Sequence, residues 1–200
     1  VIPEVLAFLK VFPQHLSGEE SARTQKHELY PRPASWKKVS DVYQVLRKAD
    51  KNLRQIAVAG IIGDVTAAEF MMLAEEIAQL KSVDELLKIQ RKTPNKIGQH
   101  LPTTLNGIYA LSFAIVTRAT EEIAEELLEL INCFDEQTGE QFNLLPMRDL
   151  QTMAGSLLLD KIWKEGWKVE NSKAFWRYNE KREAATKNTE EPEKQLAQIA

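Results

Sequence analysis

The residue best placed to act on an anion is Arg32, held between two prolines in YPRPASWKKVSDVY, residues 30–43. A guanidinium is planar and always charged, and a rigid backbone could aim its fork of N–H donors at a phosphate. Pro31 and Pro33 push Tyr30 and Arg32 toward extended geometry, because a proline ring disfavours helical backbone in the residue before it. Ser35 is then expected to cap the following helix by accepting a backbone N–H, and Trp36 to open its apolar face. The same residues also describe a stiff helix start whose arginine simply faces water.

Other groups offer less. Nucleotide hydrolysis needs a glycine-rich loop whose N–H groups cradle phosphates, followed by Lys and Ser or Thr. None of the eight glycines opens such a loop. LINCFDEQ, residues 130–137, imitates an apolar strand ending in magnesium-binding acids, but its spacing is helical; Asp135 and Glu136 read as a solvated helix end. Gly60 and Gly63 in GIIGD suggest either phosphate approach or close helix packing plus a helix end. The second is favoured because no strand precedes them. His15, His27 and His100 fall in separate loops with no metal-binding spacing, and are read as exposed. Cys133 is alone, which excludes an intrachain disulfide and a cysteine zinc site; its acidic neighbours disfavour a reactive thiol.

Two surfaces could bind partners. Glu121, Glu122, Glu125, Glu126 and Glu129 line one helix face, and residues 119–146 contain no Lys or Arg. Such a face is either solvated or a dock for a basic protein surface. From Lys161 onward, basic residues interleave with Trp163, Trp167, Phe175, Trp176 and Tyr178, the composition of a single-strand nucleic-acid platform. Acids are mixed in at similar number, so the favoured role is aromatic anchoring of the C-terminal segment, not nucleic-acid binding.

The elements that must hold these residues are helices. Apolar residues recur every three or four positions, and period-two alternation is scarce. The inward faces are expected as follows: Val5, Leu6, Phe8, Leu9 and Phe12; Trp36, Val39, Val42, Tyr43 and Leu46; Leu53, Ile56, Ala57, Gly60 and Ile61; Phe70, Leu73, Ala74, Ile77 and Leu80. Ser82 and Glu85 have capping-box spacing. Residues 105–118 are apolar almost all round and predict a central buried helix. Ile123, Leu127, Leu130, Ile131 and Phe134 mark the next inward face, and Leu150, Met153, Ala154, Leu157 and Leu158 another. Residues 14–34 and RKTPNKIGQHLPTT read as loops. The expectation is an all-α, compact multi-helix bundle: one domain over 1–178, then a charged tail over 179–200.

Composition is ordinary for a globular chain: 200 residues, 44% hydrophobic, 28% charged, net charge −3. That charge gives no general attraction to nucleic acid or anionic membrane. No apolar run reaches the roughly 20 residues that span a bilayer, and VIPEVLAFLK shows no basic leader. A cytoplasmic location is expected. The first residue is Val rather than Met, which fits a fragment.

Three stretches in order, IPEVLAFLKVFPQHL, PRPASWKKVSDV and IAVAGIIGDVTAAEF, resemble the C-terminal region of MoxR-type AAA+ ATPases. The matching residues are Pro3, Val5, Phe8, Leu9, Pro13 and Leu16; Ser35, Trp36, Val39 and Ser40; and Ala59, Gly60, Gly63, Ala67, Glu69 and Phe70. The likeness covers residues 1 to about 70, thins through residues 101–119 and is absent from the tail. It implies that 1–80 is lid-like, with further packed helices over 81–178. It also implies an ATPase core upstream that binds ATP and Mg, a homo-oligomeric ring, and work as a remodelling or metal-insertion chaperone on a client protein. None of these cofactors is expected on this chain alone. The family places a phosphate-sensing arginine directly before Ser-Trp; here Ala34 holds that position, so either Arg32 takes over the role through a shifted turn or this lid has lost direct phosphate sensing.

Overall fold

The structure is a computed structural model and describes residues 1–16, 31–134 and 145–183. All the regular structure among these residues is helical, and the protein is all-α. The chain divides into two compact units, Val1–Leu80 with Thr104–Phe113, and Lys81–Thr103 with Ala114–Ala200.

The first unit begins with α1 (Pro3–Val11), started by Pro3, whose missing N–H costs nothing in a first turn. Pro13 opens a short 3-10 turn, Pro13–His15, where a loop was expected. Helix α2 (Pro33–Val45) corrects the expected cap. Pro33 already has helical φ and needs no N–H partner, so the helix starts there and Ser35 becomes its third residue. The residue before it, Arg32, is extended at φ −128° and ψ 160°, as its proline neighbour requires. The N–H groups of Ser35 and Trp36 both donate to Arg32 O, at 2.8 and 3.4 Å.

Helix α3 (Lys51–Ile62) is capped by the Asp50 carboxylate, which accepts the Asn52 N–H at 2.8 Å. Gly63 alone joins it to α4 (Asp64–Ala78), at φ 85° and ψ 157°. That conformation is open essentially to glycine, which explains the second glycine of GIIGD. The first needs another account: a Cβ on Gly60 would meet nothing within 4 Å, so close packing against the described residues is not its reason.

The core of this unit gathers Val5, Phe8, Trp36, Val39, Tyr43, Val58, Ile62, Phe70 and Leu73. The expected faces of α1, α2 and α4 point into it. That of α3 does so only in part: Ile61 packs against the core, but Val58 and Ile62 are the buried residues, whereas Leu53 and Ile56 are exposed. Helix α3 is apolar on nearly every side, so spacing could not choose the face; packing against α2 and α4 chose it.

In the second unit, α5 (Val83–Lys92) carries the expected capping box. A 3-10 helix, Pro94–His100, replaces the expected loop and, with the following residue, buries Ile97 and Leu101. Helix α6 (Leu105–Arg118) is divided between the units, with Ile108, Ala110, Leu111 and Ile115 buried. After the short 3-10 turn Glu121–Ile123 come α7 (Ala124–Asn132) and α8 (Met147–Glu165). Gly166 ends α8 at φ 71°, with its own N–H on Trp163 O and the Trp167 N–H on Ile162 O, a Schellman ending. The last described helix, α9, covers 173–183, so the expected tail begins inside a helix. Lysines finish two helix ends here. Lys161 Nζ donates to Val116 O and Ala119 O at 2.8 and 2.9 Å, and Lys181 Nζ to Asn132 O at 2.8 Å.

Tyr30, His27, Asp135, Glu136 and residues 184–200 lie outside the described residues.

Candidate functional site

The residues singled out in the first unit come together around aromatic rings. Phe8 of α1 sits 5.2 Å from Trp36 of α2 and 5.7 Å from Phe70 of α4, and Trp36 lies 6.0 Å from Phe70. The Trp36 indole N–H donates to His15 O at 2.8 Å, which ties the turn after α1 to the start of α2. His15 is not the exposed loop histidine that its sequence suggested. Its ring lies 5.5 Å from that of Phe8, and its Nε2 is 2.9 Å from Glu69 Oε2. Arg32 stands at the start of α2 with its residue exposed, close in sequence to this hub but not part of the buried ring cluster.

A charged cluster that no local sequence pattern marks lies at the edge of the same core. Glu4, in the first turn of α1, is 4% exposed. Its Oε1 accepts from Arg47 Nη2 at 2.5 Å, while its buried Oε2 has no hydrogen-bond partner among the described residues. Nearby, Arg54 Nη1 donates to the Tyr43 hydroxyl at 3.4 Å, and its guanidinium carbon stands 5.8 Å over the Tyr43 ring. Burial pushes the Tyr43 phenol above its ordinary value; Arg54 opposes this and Glu4 adds to it. No local signal marks such a pair, because its partners are 43 residues apart and a glutamate in a first helical turn is usually solvated.

The acidic face of the second unit splits in two. Glu121, Glu122 and Glu125 are exposed. Glu126 instead pairs with Arg91 at 2.6 Å, and Glu129 with Arg177. A hydrogen bond from the Thr120 side chain holds the Glu122 carboxyl below its ordinary value. Cys133 is buried at the end of α7, and its thiol donates to Glu129 O at 3.3 Å. Asn132 is fully buried: its side-chain amide donates to Ala174 O at 3.0 Å, and its backbone O accepts from Gln151 Nε2 at 3.4 Å.

The aromatic segment also divides. Tyr178 is buried, its ring against Gly155 and its hydroxyl donating to Thr152 O at 3.0 Å, so it does anchor α9 to α8. Trp163 and Trp176 are instead exposed. Among the described residues no group of three His, Cys, Asp or Glu is placed to hold a metal, and no helix is long and apolar enough to cross a membrane. The arrangement in both units therefore consists of packing and ion pairing, without a nucleophile beside a base or a phosphate cradle among the described residues. Compared with family models, curated proteins and solved structures, the chain matches none.

Proposed function

We propose that the chain is the helical C-terminal portion of a MoxR-type AAA+ ATPase, working with an upstream core that binds ATP and Mg. In this reading the parent forms a ring and couples hydrolysis to remodelling, or to metal insertion, in a client protein. One observation carries it. Motif residues from three separate stretches meet in one core: Phe8, Trp36 and Phe70 touch, and Gly63 makes the turn that lets α4 reach them. Residues that recur together because they pack together are what a shared fold would keep. Arg32 is the residue here for sensing nucleotide, from an extended backbone at the start of α2.

The test is the intact mass of the protein from its native host, with the coding sequence upstream of Val1. A mass well above 22.8 kDa with a P-loop upstream is expected, and Arg32→Ala should then lower ATP turnover of the whole protein without unfolding it. A mature protein of 22.8 kDa with no P-loop, or ATP turnover by the 200-residue chain alone, would overturn the reading.

The exposure of Glu121, Glu122 and Glu125 favours a second reading, a protein-interaction module that docks a basic surface. Reversing Glu122 and Glu125 to lysine should then weaken salt-sensitive partner binding. Glu126 and Glu129 are poorer choices because they hold Arg91 and Arg177.

A further inference from the structure

We infer that α9 is a releasable strap: a basic helix that docks on the acidic helix α7 and opens as a unit when salt screens its anchor. It starts independently of the helix before it. Gly166 ends α8. Ser172 then begins α9, its hydroxyl accepting the Phe175 N–H at 3.1 Å and its carbonyl the Trp176 N–H at 3.3 Å. Helix α9 is therefore no continuation of α8 and can leave without unwinding it.

Burial fastens α9 only lightly. Helix α7 buries six of its nine residues. Among residues 173–183 Ala174 and Tyr178 alone are buried. Elements with few buried contacts open at the lowest free energy. Polar anchors supply the rest. Arg177 pairs with Glu129 of α7. One turn on, Lys181 Nζ donates to Asn132 O at 2.8 Å, at the negative end of the α7 dipole. The Asn132 side-chain amide donates to Ala174 O at 3.0 Å. The Tyr178 hydroxyl donates to Thr152 O at 3.0 Å, and its ring lies against Gly155. Residues 174, 177, 178 and 181 recur at i, i+3, i+4 and i+7, so one face of α9 makes all of these contacts.

The charged anchor is open to solvent ions. The Arg177 and Glu129 side chains are 39% and 35% exposed. At about 0.5 M salt the screening length falls to about 4 Å, and a pair so exposed weakens. The apolar packing of α7 on α8 has no such sensitivity. The strap also masks. Glu129 lies one helical turn beyond the exposed Glu125, and Arg177 occupies its carboxylate. Opening frees Glu129 and lengthens the exposed acidic face by that turn, while the Asn132 carbonyl loses its lysine. The docked strap is thus an autoinhibitory contact, in which the chain's own basic helix holds acceptors suited to a basic partner. Its release rests on neither reading proposed above.

Hydrogen exchange of the 200-residue chain, read by mass spectrometry on peptides from α7, α8 and α9, tests it. The comparison is between about 20 mM and about 500 mM sodium chloride. At low salt the α9 amides should exchange at least about tenfold faster than those of α8, and high salt should speed them roughly threefold more while α8 changes little. Arg177→Gln should speed α9 exchange roughly threefold at low salt and remove most of the salt response. Tyr178→Phe should speed α9 exchange about fivefold yet leave the salt response intact, because the bond it loses is neutral. Circular dichroism should show both variants folded, and the unaltered chain alone already decides whether salt releases α9. Exchange of α9 in step with α8 at both salts overturns the strap. So does α9 exchange indifferent to salt, or a full salt response surviving in Arg177→Gln.

Discussion

The two units differ in the polar groups they bury and the apolar side chains they expose. The first buries a carboxylate, Glu4, and exposes Val45, Leu53, Ile56, Val65 and Met72. The second buries no carboxylate among the described residues; its acids pair at the surface, Arg118 with Asp84, Arg91 with Glu126 and Arg177 with Glu129, as Lys37 with Asp41 and Lys51 with Glu75 do in the first. Its large exposed apolar side chains among the described residues are Trp163 and Trp176. The buried polar groups of the second unit, Asn132 and Gln151, are neutral and serve helix ends. The difference teaches where each unit meets its surroundings. Among the described residues the second unit exposes two tryptophans, whereas the first exposes several aliphatic side chains on neighbouring helices.

Two glycines condense the contrast, and the larger prediction rests on the one in the second unit. At Gly155 a Cβ would lie 2.0 Å from Cε2 of the buried Tyr178 ring. Gly155→Ala must therefore displace that ring, at a cost of about 3 kcal/mol, the upper part of the range for overpacking. Amide exchange should show α9 losing protection before α8. Tyr178→Phe keeps the ring and loses only the bond to Thr152 O, so about 1 kcal/mol is expected. Equal losses for the two variants would mean that the hydroxyl, not the close ring packing, fastens α9. At Gly60 the same substitution to alanine has no such obstacle, and its sign should be opposite.

The buried charge of the first unit gives the next effect. Arg47→Ala leaves the Glu4 carboxylate inside without a donor. Losing one partner of a fully buried pair costs 3–5 kcal/mol, but the Arg47 side chain is 66% exposed and water can reach it, so about 2 kcal/mol is expected in urea unfolding. Adding Glu4→Leu should recover most of the loss, since an apolar group suits the site once the charge is gone. A double variant no more stable than Arg47→Ala would show that Glu4 holds the α1 end by packing rather than through its charge.

Local chemistry explains which features were legible in the sequence. The Ser82–Glu85 box, the extended Arg32 before Pro33 and the helix end at Gly63 each depend on residues within four positions of one another. The all-α class and most inward faces follow from spacing on helices with one polar side. The face of α3 was misread because that helix has apolar residues all round, and the Ser35 cap because Pro33 could start the helix earlier. The Glu4–Arg47 pair and the placement of His15 beside Glu69 depend on partners 43 and 54 positions away, which no local pattern encodes. The exposed aliphatic side chains and the free space at Gly60 were likewise visible only after packing had chosen a face.

The smallest effect concerns the surface charge of the second unit. Ser82→Ala should cost roughly 1 kcal/mol at neutral pH, the usual loss for an N-cap. The Glu85 carboxyl is held below its ordinary value of 4.5, first by the Ser82 backbone N–H and then by the Ser82 hydroxyl. A lowered folded-state value stabilises the fold above 4.5, and that contribution fades as pH falls through the lowered value. The penalty of Ser82→Ala, measured by thermal unfolding, should therefore shrink in acid, and Glu85→Gln should remove the acid-dependent part. A penalty that stays constant between neutral and acid pH would assign the cap to the bond that Ser82 Oγ accepts from the Glu85 N–H at 3.3 Å, without help from the carboxylate. The second unit's exposed acids would then hold its helix starts less by their charge than by the neutral caps beside them, which would narrow the contrast with the first unit.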